Sequence, residues 1–248
     1  MCAQRPGWPP PATNQHRPED VFDAALLLHA HSRYNAQMEA AALPSHRRAT
    51  YADLLAMPAH LVVELIDGEI YAMPRPRNVH ADASSGIGAD VRTAFGKRKP
   101  GAGPGGWIIL DEPELHLGPL APTDLVLVPD LAGWRRSRLP EVPDIAAFEL
   151  APDWICEVLS PSTANHDRIR KMEWYGRAGV RWAWLVDPTL RSVEVYEHDG
   201  VGWRFHGGVD GDGMARIRPF DAVEFDLSEW WGPPPAAPEP VVTGVAQP

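Results

Sequence analysis

The chain of 248 residues carries a formal net charge of −10, with 44% hydrophobic and 23% charged residues. This length and composition fit an ordinary globular protein with one sizeable core, and no apolar run approaches the roughly 18 residues that a membrane helix requires. The acidic balance excludes a nucleic-acid binder with a basic surface throughout, so contact with a polyanion would depend on local basic patches or on a bound metal ion.

Three segments differ in composition. Residues 1–48 are predicted to be an N-terminal tail; residues 1–18 are rich in Pro, Gln, Asn and Arg and are expected to be mobile, whereas the alanine-rich residues 19–41 predict a helix. Residues 49–231 are predicted to form the compact domain, and the proline-rich residues 232–248 a disordered tail. The N-terminus lacks the apolar stretch of a signal peptide, so a cytoplasmic location is expected.

The cysteines and histidines exclude several kinds of site. With only Cys2 and Cys156, neither a disulfide framework nor a cysteine-type zinc site is available, and Cys156 is interpreted as a small buried residue. The ten histidines are scattered without a zinc signature. Neither a G-x-S-x-G nucleophile elbow nor a glycine-rich phosphate loop is present.

A hairpin is predicted near the start of the domain. Asp67-Gly68 lies between the apolar runs Leu61–Ile66 and Glu69–Met73, and Asp-Gly in this position is the strongest local hairpin signal, because both central positions of a type I′ turn need positive φ. The paired strands would carry Glu64 and Glu69 near one turn.

Periodicity and end signals predict the remaining elements. They are helices over Ala52–Met57, His80–Phe95 and Asn165–Ala178, and strands over Trp107–Leu110, Glu114–Leu117, Leu125–Val128, Trp154–Leu159, Val180–Val186, Ser192–Glu197 and Gly202–His206. Residues 132–150 are too irregular to assign. Because helices lie between the strands at intervals, the fold class predicted is α/β, with a mixed central β-sheet flanked by helices.

Asp130 is the first candidate site residue. It follows the aliphatic run Leu125–Val128 and Pro129. Such a run is typical of a strand buried on both faces, and an acid at its end would lie at the rim where open α/β sheets bind ligands. The alternative is that Asp130 only caps a turn, because Pro-Asp by itself is a turn signal.

Glu157 is the second candidate. It lies inside the apolar run Trp154–Leu159, where an unpaired carboxylate would be costly to bury. A divalent cation shared with Asp130 would remove that cost. The alternative is an ion pair between Glu157 and an arginine across the sheet.

Lys171 is the third candidate, on the predicted helix Asn165–Ala178. Its ammonium could lie beside a phosphate and stabilise the charge that develops in a transition state. Since Lys171 follows Asp167 by four residues, the alternative is a surface ion pair worth a few tenths of a kcal/mol.

Together these motifs resemble a known family, the Uma-type restriction endonucleases, over about residues 50–231. The motifs that carry the resemblance are Glu64–Ile70, Val128–Asp130, Trp154–Thr163, Asp167, Lys171, Tyr175, Gly179-Val180 and Trp184–Pro188. The resemblance implies a restriction-endonuclease-like fold of the PD-(D/E)xK nuclease superfamily.

The resemblance also implies roles for individual residues. Asp130 and Glu157 would bind the metal together with the backbone carbonyl of Val158. The superfamily's usual lysine position is occupied here by Leu159, so Lys171 is predicted to supply the ammonium from the following helix. Glu69 is a further candidate acid, and His80 is expected to face the same rim.

The predicted function is Mg²⁺-dependent hydrolysis of DNA phosphodiester bonds, with Mn²⁺ as an expected substitute. Family analogy alone implies a homodimer, because duplex sites are two-fold symmetric. The alternative is a catalytically inactive protein of the same fold that acts as a binding or assembly module; the chain's acidity and the missing in-line lysine favour it. Cleavage of RNA or branched DNA is not separated from cleavage of duplex DNA by sequence.

Overall fold

The structure is a computed structural model that describes residues 47–73, 77–96 and 103–232. All of its elements lie in the unit formed by residues 48–248. The predicted N-terminal tail with its helix 19–41 and the predicted C-terminal tail lie outside the described residues, except for Arg47, Arg48 and Gly232.

The described chain contains three α-helices, a π-helix and twelve strands. The helices are α1 Tyr51–Leu55, α2 Asn78–Phe95 and α3 Met172–Arg177, and the π-helix His166–Lys171 directly precedes α3. The strands are β1 Val62–Ile66, β2 Glu69–Met73, β3 Trp107–Asp111, β4 Leu115–His116, β5 Val126–Leu127, β6 Leu131–Arg135, β7 Trp154–Val158, β8 Trp182–Asp187, β9 Ser192–His198, β10 Trp203–Asp210, β11 Met214–Ala215 and β12 Phe225–Asp226.

The largest sheet has six strands in the order β10-β9-β8-β7-β6-β3. Only β7 and β8 run parallel, and the chain connects them through the π-helix and α3, because parallel neighbours need a crossover connection. The other strands of this sheet pair antiparallel. The predicted mixed α/β fold is confirmed.

The second sheet has the order β2-β1-β5-β4 and contains the predicted hairpin. Val62–Ile66 pairs antiparallel with Glu69–Met73, and Asp67 and Gly68 have φ of 56° and 76°. Both turn residues are thus in the left-handed region that a type I′ turn requires. The hairpin prediction is confirmed at residue level.

Asp130 lies where the chain passes from one sheet to the other. The strand before it, β5, belongs to the four-stranded sheet, and the strand after it, β6, belongs to the six-stranded sheet. The predicted strand Leu125–Val128 is thus paired only over Val126–Leu127, and β6 lies partly in the segment that sequence left unassigned. Leu131–Arg135 contains Ala and Gly and no β-branched residue, which explains why strand propensity missed it.

Helices cover the two faces of β7. Trp154, Cys156 and Val158 belong to the core cluster that contains the buried side of α2. Ile155 and Leu159 belong to the second cluster, which contains Met172 and Tyr175 of α3. Because side chains alternate along a strand, Glu157 faces the π-helix and α3.

A further sequence prediction concerns the burial of Cys156. Cys156 is a free and fully buried residue, as predicted, and burial raises the pKa of its thiol well above the ordinary value. Among the residues that the structure describes, no helix combines the length and apolarity needed to span a bilayer.

Trp184 offers a test of the aromatic cluster on the α2 side of the sheet. It is 0% exposed, its ring centroid lies 5.1 Å from that of Trp154 and 5.6 Å from that of Phe220, and its indole N–H donates to the carbonyl of Arg218 at 2.6 Å. We expect Trp184→Ala to lower the free energy of unfolding by about 3–5 kcal/mol, measured by urea denaturation.

Leu190→Ala is the control for this substitution, because Leu190 is 71% exposed and its truncation should change the same free energy by less than about 0.5 kcal/mol. A loss of less than about 1 kcal/mol for Trp184→Ala would contradict its central place in the core.

Candidate active site

A cavity of about 340 Å³ opens where β1 and β2, the turn at Asp130 and the end of β7 approach the π-helix. Apolar side chains and the Ser-Pro-Ser-Thr turn after β7 form part of its wall. Its ionisable lining residues are Arg77, His80, Glu112, Asp130, Glu157, Asp167 and Lys171. The cavity therefore contains three of the residues that sequence singled out for chemistry: Asp130, Glu157 and Lys171.

The ammonium of Lys171 is the centre of this cluster. The Nζ atom lies 2.9 Å from Oε1 of Glu64 and 2.9 Å from Oε1 of Glu157, and it donates to the carbonyl oxygen of Val128 at 3.1 Å. A lysine has three N–H donors, so each has a partner. Oδ1 of Asp167 lies further away, at 3.8 Å. Since Lys171 is 2% exposed, its pair with Asp167 is buried and is not the surface pair considered as an alternative.

Lys171 keeps its proton. Burial by itself lowers its pKa, but the negative charges of Glu157, Glu64 and Asp167 outweigh burial and hold the pKa well above the ordinary value. Lys171 therefore supplies a fixed positive charge and is a poor general base in this state.

Glu157 is buried, with 2% of its surface exposed. Its Oε1 atom accepts a hydrogen bond from the hydroxyl of Tyr175 at 2.6 Å as well as facing Lys171, and the predicted alternative of an arginine partner is not what the structure shows. Burial raises the pKa of Glu157 well above its ordinary value; Lys171 opposes this shift, and the carboxylates of Asp167 and Asp130 add to it. The neighbouring carboxylates and burial therefore favour the protonated form of Glu157 when no cation is bound.

Asp130 is joined to the same group through Val158. The backbone N–H of Val158 donates to Oδ2 of Asp130 at 2.7 Å, and Nε2 of His80 lies 3.3 Å from the same oxygen. Burial by itself lowers the pKa of His80. The hydrogen bond to Asp130 and the negative charge of Asp130 have a larger, opposite effect, so the pKa of His80 lies above its ordinary value. Because Val158 follows Glu157 directly, this hydrogen bond fixes Asp130 beside the second predicted acid.

Glu64 is the residue of this cluster to which sequence assigned no role. It is 0% exposed, and it accepts from the backbone N–H of Val128 at 2.8 Å and lies 3.1 Å from Nε2 of His166. Burial by itself raises the pKa of Glu64. The charge of Lys171 and the hydrogen bonds to Glu64 have a larger, opposite effect, so the pKa lies below its ordinary value. Glu64 lies in the apolar run of β1, so the signal that identified Glu157, a single acid inside a buried strand, was also present here.

Asp167 is a second member without an assigned role. It is 4% exposed, and burial raises its pKa while Lys171 opposes the shift. Its spacing of four residues from Lys171 is visible in the sequence, but an ion pair at this spacing is usually a surface pair.

Glu69 is placed apart from the cavity. It is exposed, and its Oε2 accepts a hydrogen bond from the hydroxyl of Tyr71 at 2.7 Å. The residues that the structure brings together are thus Asp130, Glu157, Val158 and Lys171, with His80 at the same rim.

The carboxylates of this cluster could bind a divalent cation that keeps most of its water ligands. In the described part of the chain, no three His, Cys, Asp or Glu side chains are arranged to hold a metal ion. Mg²⁺, however, commonly binds through one or two carboxylates and keeps several water ligands. Asp130, Asp167 and Glu64 each disfavour the charged form of Glu157, so a cation held by Asp130 and Glu157 would reduce the repulsion among these carboxylates.

The fold of this chain is similar to that of a solved structure. One solved structure with a similar fold is described as a putative nuclease belonging to DUF820 from Anabaena variabilis ATCC 29413. It has a TM-score of 0.58 and 21% sequence identity, with 73% of this chain and 97% of that chain covered. This likeness shows that the two chains share the same α/β fold. No curated protein matches the chain.

A family model extends the comparison from fold to sequence. The model, Uma2, is described as "Putative restriction endonuclease" and matches residues 49–228. The match covers most of the chain and includes Glu64, Asp130, Glu157 and Lys171, which confirms the resemblance inferred from the motifs. The chain therefore belongs to the Uma2 family, whose members are described as putative restriction endonucleases.

Proposed function

We propose that this protein is a Mg²⁺-dependent endonuclease that hydrolyses DNA phosphodiester bonds, with Mn²⁺ as a substitute. The observation that carries the proposal is the buried ammonium of Lys171 at 2.9 Å from Glu157, in the same cavity as Asp130. Membership of a nuclease family supports the reaction class.

Asp130, Glu157 and the backbone carbonyl of Val158 are the proposed metal ligands. Val158 N–H and His80 hold one oxygen of Asp130, and Tyr175 holds one oxygen of Glu157. These contacts restrict the two side chains to the orientations seen here, as outer partners of metal ligands commonly do. When bound, the cation would lower the pKa of a water molecule and offset the charge of the phosphate.

Lys171 is proposed to orient the nucleophile and to stabilise the negative charge on the phosphate. Its raised pKa favours these roles over removal of a proton from water. A fixed positive charge in a site shielded from solvent is more effective than the same charge in water.

Glu69 was predicted from sequence to be an additional catalytic acid. The geometry supports this role less than the roles of Asp130, Glu157 and Lys171, because the carboxylate of Glu69 is exposed and accepts a hydrogen bond from Tyr71. Glu69→Gln tests it directly: cleavage at the wild-type rate would remove Glu69 from the proposed machinery.

The second candidate function is a catalytically inactive binding or assembly protein of the same fold. Leu159 at the in-line lysine position and the net charge of −10 favour it. Calorimetric titration with Mg²⁺ or Mn²⁺ separates the two functions, since the absence of binding at millimolar cation would favour the inactive protein. A homodimer is part of the proposal by family analogy.

The first prediction concerns the two proposed ligands. We expect Asp130→Asn and Glu157→Gln each to abolish Mg²⁺-dependent cleavage of plasmid DNA, because each removes a carboxylate from the cation while keeping the side-chain shape. Glu173→Gln is the matched control, because Glu173 is exposed on α3 and forms an ion pair with Arg177 away from the cavity. Cleavage that survives either ligand substitution, or chelation of the cation, would show that the assignment is wrong.

The second prediction concerns the charge of Lys171. Replacement by Met removes the ammonium and should lower kcat by about 10²–10³-fold, measured with a labelled duplex under saturating Mg²⁺. Arg168→Met is the control on the same helix; Arg168 contacts Glu194 at 2.7 Å and not the cavity. Equal activity of Lys171→Met and the wild type would exclude Lys171 from the chemistry.

The third prediction follows from the raised pKa of Glu157. A carboxyl group that holds its proton to a higher pH must release it when a cation binds, so Mg²⁺ affinity should fall as pH falls through this raised pKa. For the same reason, the contribution of Glu157 to stability decreases as pH rises from its ordinary pKa through the raised one.

Calorimetry in two buffers with different ionisation enthalpies measures the protons released on Mg²⁺ binding. Glu157→Gln should release fewer protons than the wild type, whereas Glu173→Gln should release the same number. Proton release that is identical in the wild type and Glu157→Gln would contradict this explanation.

A further inference from the structure

The π-helix His166–Lys171 has a geometry that an α-helix would not provide. The backbone N–H of Met172 bonds to the carbonyl of Asp167, five residues earlier. In an α-helix, two residues five apart lie about 140° from each other around the axis, but the wider π turn brings them close to one side. His166 and Lys171 are five apart, and both reach the same carboxylate.

That carboxylate belongs to Glu64, and each of its two oxygens contacts the side chain at one end of the π-helix. Oε1 lies 2.9 Å from Nζ of Lys171, and Oε2 lies 3.1 Å from Nε2 of His166. Glu64 is therefore a bridge between the first and the last residue of the π-helix.

Glu64 is itself held in one place. It lies on β1 with 0% of its surface exposed, and the backbone N–H of Val128 donates to its Oε1 at 2.8 Å. The ring of Tyr71, from the partner strand β2, packs against the ring of His166 with centroids 4.4 Å apart. The hairpin thus offers the π-helix a fixed polar contact and an aromatic one.

We propose that Glu64 is the positioning residue for Lys171: by holding both ends of the π turn, it brings to Glu157 the ammonium that β7 does not supply. Leu159, two residues after Glu157, packs in the apolar cluster with Met172 and Tyr175. The charge must therefore come from the following helix. The effect of Glu64 on the rate of DNA cleavage rests on the proposed function, whereas its effect on the position of Lys171 does not.

The need for a positioning residue follows from the side chain of lysine. Its long stem has many rotamers, and fixing it costs conformational entropy. Without Glu64, the ammonium keeps Glu157 and the Val128 carbonyl but loses one of three close acceptors. His166 loses its polar partner on β1 and keeps only the ring contact with Tyr71 of β2 among the hairpin contacts described. Both changes release the π turn from β1.

Glu64→Gln tests the proposal, with Glu194→Gln as the matched control. Glu194 forms a two-bond ion pair at 2.7 Å with Arg168 of the same π-helix and has no contact with Lys171 among the interactions described. Two quantities are measured on each folded variant: kcat and KM for a labelled DNA duplex with Mg²⁺, and the rate at which acetyl N-hydroxysuccinimide acetylates Lys171, followed by peptide mass spectrometry.

We expect Glu64→Gln to lower kcat by about 100-fold with KM changed by less than about threefold, because the loss is one of placement of a charge in the transition state. Acetylation of Lys171, which is 2% exposed in the wild type, should accelerate by about tenfold or more as the side chain loses its anchor. Glu194→Gln should match the wild type in both measurements.

Wild-type kcat together with wild-type acetylation in Glu64→Gln would overturn the proposal. If the wild-type protein itself cuts no DNA, the proposed function fails and the acetylation rate alone decides the role of Glu64: faster acetylation supports it, and an unchanged rate overturns it. If Glu64→Gln does not fold by circular dichroism, Glu64→Asp, which keeps the charge but shortens the reach, is read in the same way.

Discussion

The sharing of one buried ammonium among several carboxylates is the constraint on which this site depends. A charge taken out of water is costly unless close partners compensate it, and Lys171 meets Glu64 and Glu157 at 2.9 Å each. These three residues come from β1, β7 and the π-helix, so the charge can be buried only when the hairpin, the central sheet and the crossover are all assembled. Correct folding and formation of the site are therefore one event.

Sequence located Asp130 and Glu157 because each acid lies inside or close behind an apolar strand run, a place where carboxylates are rare. The family resemblance then drew attention to Lys171 on the following helix. The Asp67-Gly68 hairpin, helix α2 and the end of α3 were also predictable, since turn and end signals act locally. In each case the physical cause lies within a few residues of the feature, and a single chain contains that information.

The features that were missed depend on contacts between distant segments. Glu64 and Glu69 lie on the same face of the hairpin, because Glu69 pairs with Ile66 and Glu64 with Tyr71. Only packing of the π-helix decides that Glu64 is covered while Glu69 at the turn stays exposed. The π-helix was predicted as a regular helix for a similar reason. Its wider turn occurs together with a contact to β1, and the local periodicity of the sequence does not contain that information. The passage of the chain between sheets at Asp130 is likewise a matter of topology.

Delivery of the ammonium from the crossover has an evolutionary consequence. Where acid and lysine share one strand, the pleat fixes their separation at two residues, and neither can shift without the other. Here Lys171 is fourteen residues after Glu157, and position 159 can remain apolar. The pleat therefore does not constrain the turn between β7 and the π-helix, and a motif search that demands the in-line spacing would overlook this chain while a search for the spatial trio would not.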